Sequence, residues 1–469
     1  MSEKNQYPKL YVKNFAKIKE AEIESAPFTL FVGDNNSGKS YLMTLIYHLF
    51  KYADKVIDII FKDEKIVEEL EEYKKAKYII DNRIKTLDFD ELVDMSAEEF
   101  NIFMDLFNVL LNKYSNEVIN HIFNSSNEIT LEYIKLELND SNFTFRKFKS
   151  KKANDDTEFY YLGIKDINIG MGIGLSESKL IHIRDVEIVK NIIDFILNKS
   201  LEIYYRLFGI NKTFLPVSRT GFLLSRNDIA SSAIVDKFDR YAKKKNNEYL
   251  SRPIIDFLNN LNSLNNLSKE DNRTSIKKLN NIINFFEDNL ISGKININAE
   301  TGNIYYKPSN VNTEFQMYLS SAVITELAPL YLFLKYGIIN GDLLMEEPEI
   351  SLHPYLQQQL TRVFTKLVNI NTHVLITTHS DTIIQHINNM IKLNSNNEER
   401  KKYLMNKYGY DEDDLISEDM VRMYQFDIEE DGFTKVTKLE SSEYGFEVPT
   451  FNKVLKKISD EIYDFQEEL

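Results

Sequence analysis

A chain of 469 residues and 55.0 kDa is too long for one simple core and points to two or three structural units, interrupted in sequence. Its 57 Lys plus Arg against 72 Asp plus Glu give a formal charge of −15, which argues against a surface that coats nucleic acid or membrane throughout. The absence of cysteine excludes disulfides, thiolate zinc sites, iron–sulfur clusters and cysteine nucleophiles. No apolar run nears the ~20 residues that a bilayer span needs, so a soluble, cytoplasmic protein is expected.

Lys9 to Phe15 alternates as a strand, and Pro27 to Val32 (PFTLFV) is a continuous apolar run suited to a strand buried on both faces. A helical pattern begins near Ser40. Residues 51–126 carry apolar side chains three and four apart between charges, which predicts helices with solvated charged faces. From Glu128 the period switches to two (EITLEYIKLEL, FTFRKF, EFYYLGI), predicting a small antiparallel sheet. A helix follows from about Val186 to Phe208, then a short strand, Thr213 to Val217. Residues 221–293 again read as polar helices rich in Asn, and Ile295 to Lys307 as a hairpin turning at Thr301-Gly302-Asn303. The last third predicts a helix over 321–336, a strand from Gly341, a helix over 354–369 and a buried strand from His373 to Thr377. A hairpin at Asp431-Gly432 and an amphipathic helix from about Thr450 complete the chain.

Three segments carry chemistry. Gly33-Asp34-Asn35-Asn36-Ser37-Gly38-Lys39-Ser40 fits G-x-x-x-x-G-K-[ST] between an apolar strand and a helix, the context that this pattern requires. Backbone N–H groups there cradle phosphates, Lys39 neutralises the β- and γ-phosphates, and Ser40 ligates Mg²⁺. Leu343-Leu344-Met345-Glu346-Glu347-Pro348 delivers two carboxylates at a strand end, Glu346 for the Mg²⁺ shell and Glu347 to deprotonate the attacking water. Val374 to Asp381 (VLITTHSD) ends a buried strand in His379, suited to hydrogen-bond a γ-phosphate. Ser320 and Ser321 open a helix and suit either simple caps or phosphate binding, most usefully to a phosphate held by a second copy.

These segments, in this order and with a large insertion after the first, resemble an ABC-type ATPase head. Within that class FLPVSR (214–219), LSSAVITELAPLYLFLKYG (319–337), LLMEEPEISLHP (343–354) and LITTHSD (375–381) are similar to the overcoming-lysogenization-defect (OLD) and RecF/SMC-like group. The likeness extends to the stand-alone ATPase subunits of phage-defence systems such as PARIS or Septu, which lack the TOPRIM nuclease domain. It covers about residues 8–50 and 212–385. The resemblance implies an α/β fold: an ABC-type P-loop ATPase head with a mostly parallel sheet, an antiparallel β lobe and helical insertions. It also implies catalytic roles for Lys39, Glu347 and His379, and a signature at Ser320 and Ser321 that completes a partner's site. Two departures stand out: Ala322 replaces a usual glycine, and no glutamine marks the Mg²⁺-sensing position. Arg219 stands near that position, as a cofactor contact or as a structural salt bridge.

The expected domains are a discontinuous head over 1–50, 127–220 and 294–400, helical insertions over 51–126 and 221–293, and a C-terminal extension over 401–469. The expected function is an ATP-binding and hydrolysing switch or scaffold. It forms homo-oligomers through ATP-sandwiching heads and controls a separate effector, a nuclease, in anti-phage defence. The alternative is a RecF/SMC-like DNA-binding ATPase of repair or maintenance. Net charge does not indicate nucleic acid, and the basic runs 146–152 and 240–245 read as solvated loops unless one face unites them. Asp411 and Asp413, in the acidic run YDEDDLISED, lack a preceding apolar strand and read as a solvated loop, not a metal site.

Overall fold

The computed structural model describes residues 7–86, 88, 92–124, 128–138, 143–149, 158–164, 167–173, 185–206, 211–226, 250–267, 277–298, 300–442 and 445–467. The chain folds as two compact units. The first comprises Met1–Phe15, His48–His121 and Ser125–Arg206, and the second Ala16–Tyr47, Ile122–Asn124 and Leu207–Leu469. No helix among the described residues is long and apolar enough to cross a membrane.

In the first unit, strands β1 (Lys9–Phe15) and β5 (Tyr133–Glu137) pair antiparallel, Val12 opposite Ile134. The helix Ala97–Lys113 packs on β5. It starts with a capping box between Ser96 and Glu99 and buries Phe100, Phe103, Met104, Phe107, Leu110 and Leu111 at the spacing of one helical face. Asn108 and Asn112, four residues apart on this helix, each bond both the N–H and the C=O of one β5 residue, Leu136 and Ile134 respectively. These two amides stand where a neighbouring strand would, so the β5 backbone on that side is satisfied. A separate antiparallel sheet runs β4-β6-β7-β8, with β4 at Leu92–Asp94, β6 at Phe143–Lys149, β7 at Glu158–Ile164 and β8 at Ile167–Ile173. The period-two stretch thus divides between two sheets, and β4 interrupts the segment predicted as all helix.

In the second unit the strands lie in the order β2-β16-β15-β3-β14-β13-β9. They are β2 (Ile18–Glu24), β3 (Phe28–Gly33), β9 (Asn211–Leu215), β13 (Gly341–Glu346), β14 (His373–Thr378), β15 (Val421–Ile428) and β16 (Thr434–Leu439). All neighbouring pairs from β15 to β9 are parallel. Every residue of β3, β13 and β14 is buried, which explains their unbroken apolar reading. The helix Ala322–Lys335 is buried throughout Ile324–Leu334 and joins the main core with Phe28, Leu343, Phe364 and Ile376. The hairpin β10 (Gly293–Ile297) and β11 (Ile304–Pro308) forms as read, extended by β12 (Phe315–Gln316). The fold is therefore α/β, with a large mostly parallel sheet, smaller antiparallel sheets and helices. The hairpin around Gly432 also forms, and its strands lie inside the large sheet, β15 directly beside β3.

Candidate functional site

The site is built at the carboxyl ends of β3, β13 and β14, where a parallel sheet places its loops. β3 ends at Gly33, whose φ of +120° suits glycine alone; a Cβ there would lie 2.3 Å from the Phe426 carbonyl oxygen of β15. Strand β15 also grips the next residue. Asp34 N–H donates to Phe426 O at 3.1 Å, and the Asp34 carboxylate accepts from Ile428 N–H at 3.2 Å. Asn35 and Asn36 form the exposed tip, Asn36 with φ of +58°. Ser37 Oγ donates to Asp34 O at 2.7 Å, and Gly38 turns the chain at φ +95°. The helix Lys39–Lys51 then begins.

Lys39 is buried, and its ammonium donates to Gly33 O at 3.2 Å, Ser37 Oγ at 3.2 Å and Asp34 O. Burial lowers its pKa to about 8, against the attraction of Glu347, Asp34 and Glu349. A cation with so little water around it is primed to meet an anionic ligand.

β13 delivers the carboxylates. Glu346 is 8% exposed, accepts from Val217 N–H at 3.1 Å and is hydrogen-bonded by the Ser40 side chain. Burial raises its pKa against those hydrogen bonds. Glu347 adopts φ +40°, and its N–H donates to Thr377 O at 2.9 Å. Its carboxylate stands 3.8 Å from His379 Nε2. His379 is lowered in pKa by burial and by Lys39, so its neutral form is favoured.

Glu349 was not singled out from the sequence. Its carboxylate accepts from the His379 N–H at 2.6 Å and from Thr378, and burial raises its pKa. It therefore fixes the turn that presents His379. The signal was present in the spacing of Glu347 and Glu349 around Pro348, but the register that sets Glu349 against His379 is tertiary.

Of the two readings of Arg219, the geometry shows the structural salt bridge. This side chain is 0% exposed and donates to the carbonyls of Pro216, Glu326, Glu346 and Glu347, at 3.1, 3.4, 2.7 and 3.0 Å. It also pairs with the Glu326 carboxylate at 2.5 Å. Its planar fork is committed to the backbone of Glu346 and Glu347 at the end of β13, so it acts as a clamp beneath them. Replacing Arg219 by Met is expected to cost about 3–5 kcal/mol, because Glu326 would be left buried without its cation. A urea midpoint equal to the parent's would show that the clamp contributes nothing.

Ser320 and Ser321 are not joined to the P-loop by any hydrogen bond among the described residues. Ser321 N-caps the helix Ala322–Lys335 with no side-chain cap bond. Ser320 Oγ is buried with no hydrogen-bond partner. Asp411, Asp413 and Asp414 serve the packing of the helix Pro354–Val368: Asp414 is fully buried and bridges Arg362 at 2.7 Å and Lys366 at 2.9 Å, and Asn369 bonds the Asp413 carbonyl. Among the described residues no group of three or more His, Asp or Glu could hold a metal ion by itself. The basic run at 240–245 and the side chains of the run at 146–152 lie outside the described residues.

A family model described as an AAA ATPase domain matches residues 8–384. No curated protein matches the chain. Solved structures similar to it include the SMC head domain from Thermotoga maritima, at 12% identity over 92% of this chain and 98% of that one, with a TM-score of 0.32. SmcHead bound to the C-winged helix domain of ScpA gives 12%, 92%, 98% and 0.37. The Smc head domain with an extended coiled coil, bound to the C-terminal domain of ScpA derived from Pyrococcus furiosus, gives 13%, 97%, 99% and 0.36. The family match spans most of the chain and contains the P-loop, both strand-end carboxylates and His379, so the chain belongs to the AAA ATPase domain family.

Proposed function

We propose that this ATPase is an oligomeric switch of the ABC-type head class. ATP closes paired copies, turnover reopens them, and the closed state holds or releases a separate effector, a nuclease in bacterial anti-phage defence. In this reading the amides of Gly33 to Ser40 and the Lys39 ammonium hold the phosphates. Glu347 accepts a proton from the attacking water, and His379 contacts the γ-phosphate. Ser40 and Glu346, two oxygen-bearing side chains hydrogen-bonded to each other, would hold Mg²⁺. When bound, that ion offsets charge on the phosphate oxygens. Glu346 and Ser40 orient it, and Arg219 holds the backbone of Glu346 in place.

The observation that supports pairing is the state of Ser320 and Ser321. A helix N-terminus with an uncommitted hydroxyl cap suits a phosphate. It makes no bond to its own P-loop, and exposed Tyr318 and Leu319 lead into it, at 66% and 63%. A second copy supplies the phosphate that it lacks. The control of a nuclease rests on the resemblance of the motifs to phage-defence ATPases and on the acidic charge of the chain.

Mixed variants test the pairing. Lys39→Ala and a Ser320→Arg, Ser321→Arg double variant are each expected to be inactive. A mixture of the two reconstitutes one intact site in each mixed dimer, recovering about a quarter of the parental rate for random two-fold pairing. A mixture as inactive as its components would show that the serines do not complete a neighbour's site. Co-production with the products of adjacent genes tests the effector: a nuclease whose cleavage follows nucleotide state is expected, and a chain that retains no partner in any nucleotide state contradicts the switch.

A further inference from the structure

The helix Pro449–Glu467 ends the described chain, and its sequence carries a two-sided charge and a regular apolar seam. Phe451, Leu455, Ile458, Ile462 and Phe465 follow each other at intervals of four, three, four and three residues. That alternation is the a/d seam of a two-stranded coiled coil. The seam faces solvent where its side chains are described: Ile458, Ile462 and Phe465 are 47%, 53% and 68% exposed. Three large apolar side chains in one stripe on a helix are what a partner helix covers.

The charges lie at outer heptad positions, Glu461 excepted, and favour one orientation through the opposite charge of the two halves. Lys453, Lys456 and Lys457 lie in the first half of the helix, and Asp460, Glu461, Asp464 and Glu467 in the second. A parallel copy would set basic half against basic half and acidic against acidic. An antiparallel copy sets each half against its opposite. The same arrangement matches the seam, since Leu455 meets Phe465 of the other copy and Ile458 meets Ile462, so every layer pairs an a with a d position. Glu461 is the one acidic residue beside the seam near the centre of the pair, and Lys457 of its own helix stands 3.8 Å away to offset its charge.

We propose that this helix pairs antiparallel with the same helix of a second copy of the chain, as a contact between protomers that does not depend on nucleotide. Nineteen residues are few for a coiled coil alone. The contact therefore works by raising the local concentration of copies that also meet elsewhere. It goes beyond the ATP-driven pairing proposed above and does not require it.

The absence of native cysteine makes cross-linking clean. Full-length Ile458→Cys and Ile462→Cys chains, carrying different affinity tags, are mixed without nucleotide and oxidised. The expected result is a 458–462 cross-link between chains about tenfold above either like-with-like product. Leu455→Glu with Phe465→Glu, added to both chains, lowers it on the order of tenfold. Helix content by circular dichroism reports whether that variant keeps its fold, and Asp460→Cys supplies a background level away from the seam. Like-with-like products in excess would overturn the antiparallel arrangement. Cross-linking at the Asp460→Cys background, or capture of an unrelated protein in place of a second copy, would overturn the self-pairing itself. Because no nucleotide is present, either failure leaves the ATP-driven closure to be judged by its own experiment.

Discussion

Replacing Lys39 by alanine is expected to abolish ATP hydrolysis, lowering turnover by at least about 10²–10³-fold and weakening ATP binding with it. The reason is local. Lys39 is the only ammonium held over the Gly33–Ser40 loop among the described residues, and burial has already lowered its pKa to about 8. A phosphate there restores the charged form by direct pairing, which an alanine cannot do. Hydrolysis is measured as phosphate release and binding as calorimetric heat. Because Lys39 also ties the loop carbonyls, a thermal melt of the variant separates lost chemistry from lost structure. A folded Lys39→Ala chain that hydrolyses ATP like the parent would remove the P-loop from the active site.

The second large effect is expected at Glu347. Its amide is pinned to β14 through Thr377, its φ is held at +40°, and Arg219 grips its carbonyl from below. The backbone is thus fixed while the carboxylate remains one-third exposed, near His379. In the proposed mechanism the attacking water meets this open side. Glu347→Gln fits the same space but accepts no proton, so turnover should fall by about 10²–10⁴-fold with ATP binding retained. Equal loss of binding and turnover would instead make Glu347 a ligand-holding residue. Glu349 is the natural control: its carboxylate is spent on the His379 N–H, so its loss should disturb His379 before it disturbs the water.

Much of this site is legible in the sequence because its parts are local. The phosphate loop is eight consecutive residues between an apolar strand and a helix, and β13 and β14 announce themselves as apolar runs that stop at Glu346 and shortly before His379. What holds those parts together is not local. Strand β15 begins almost 390 residues after β3 ends, yet its Phe426 and Ile428 fix Gly33 and Asp34. Its half-alternating sequence reads as one arm of an ordinary hairpin, since nothing in a strand's own residues names its parallel neighbour. Arg219 illustrates the same limit from the other side. The end of a short strand gave its position, but only the packed structure shows its guanidinium turned inward onto the carbonyls of Glu346 and Glu347. Strand β4 escaped notice because three residues are too few to show a period against the helices around them.

Sedimentation of the Glu347→Gln chain with Mg²⁺–ATP tests the closed-switch account most directly. The account predicts that ATP shifts the chain to a larger species, whatever its size without nucleotide, with one ATP retained per protomer. ADP should leave it unshifted, as should ATP with Lys39→Ala. A Glu347→Gln chain that binds ATP fully and sediments as it does with ADP would contradict it.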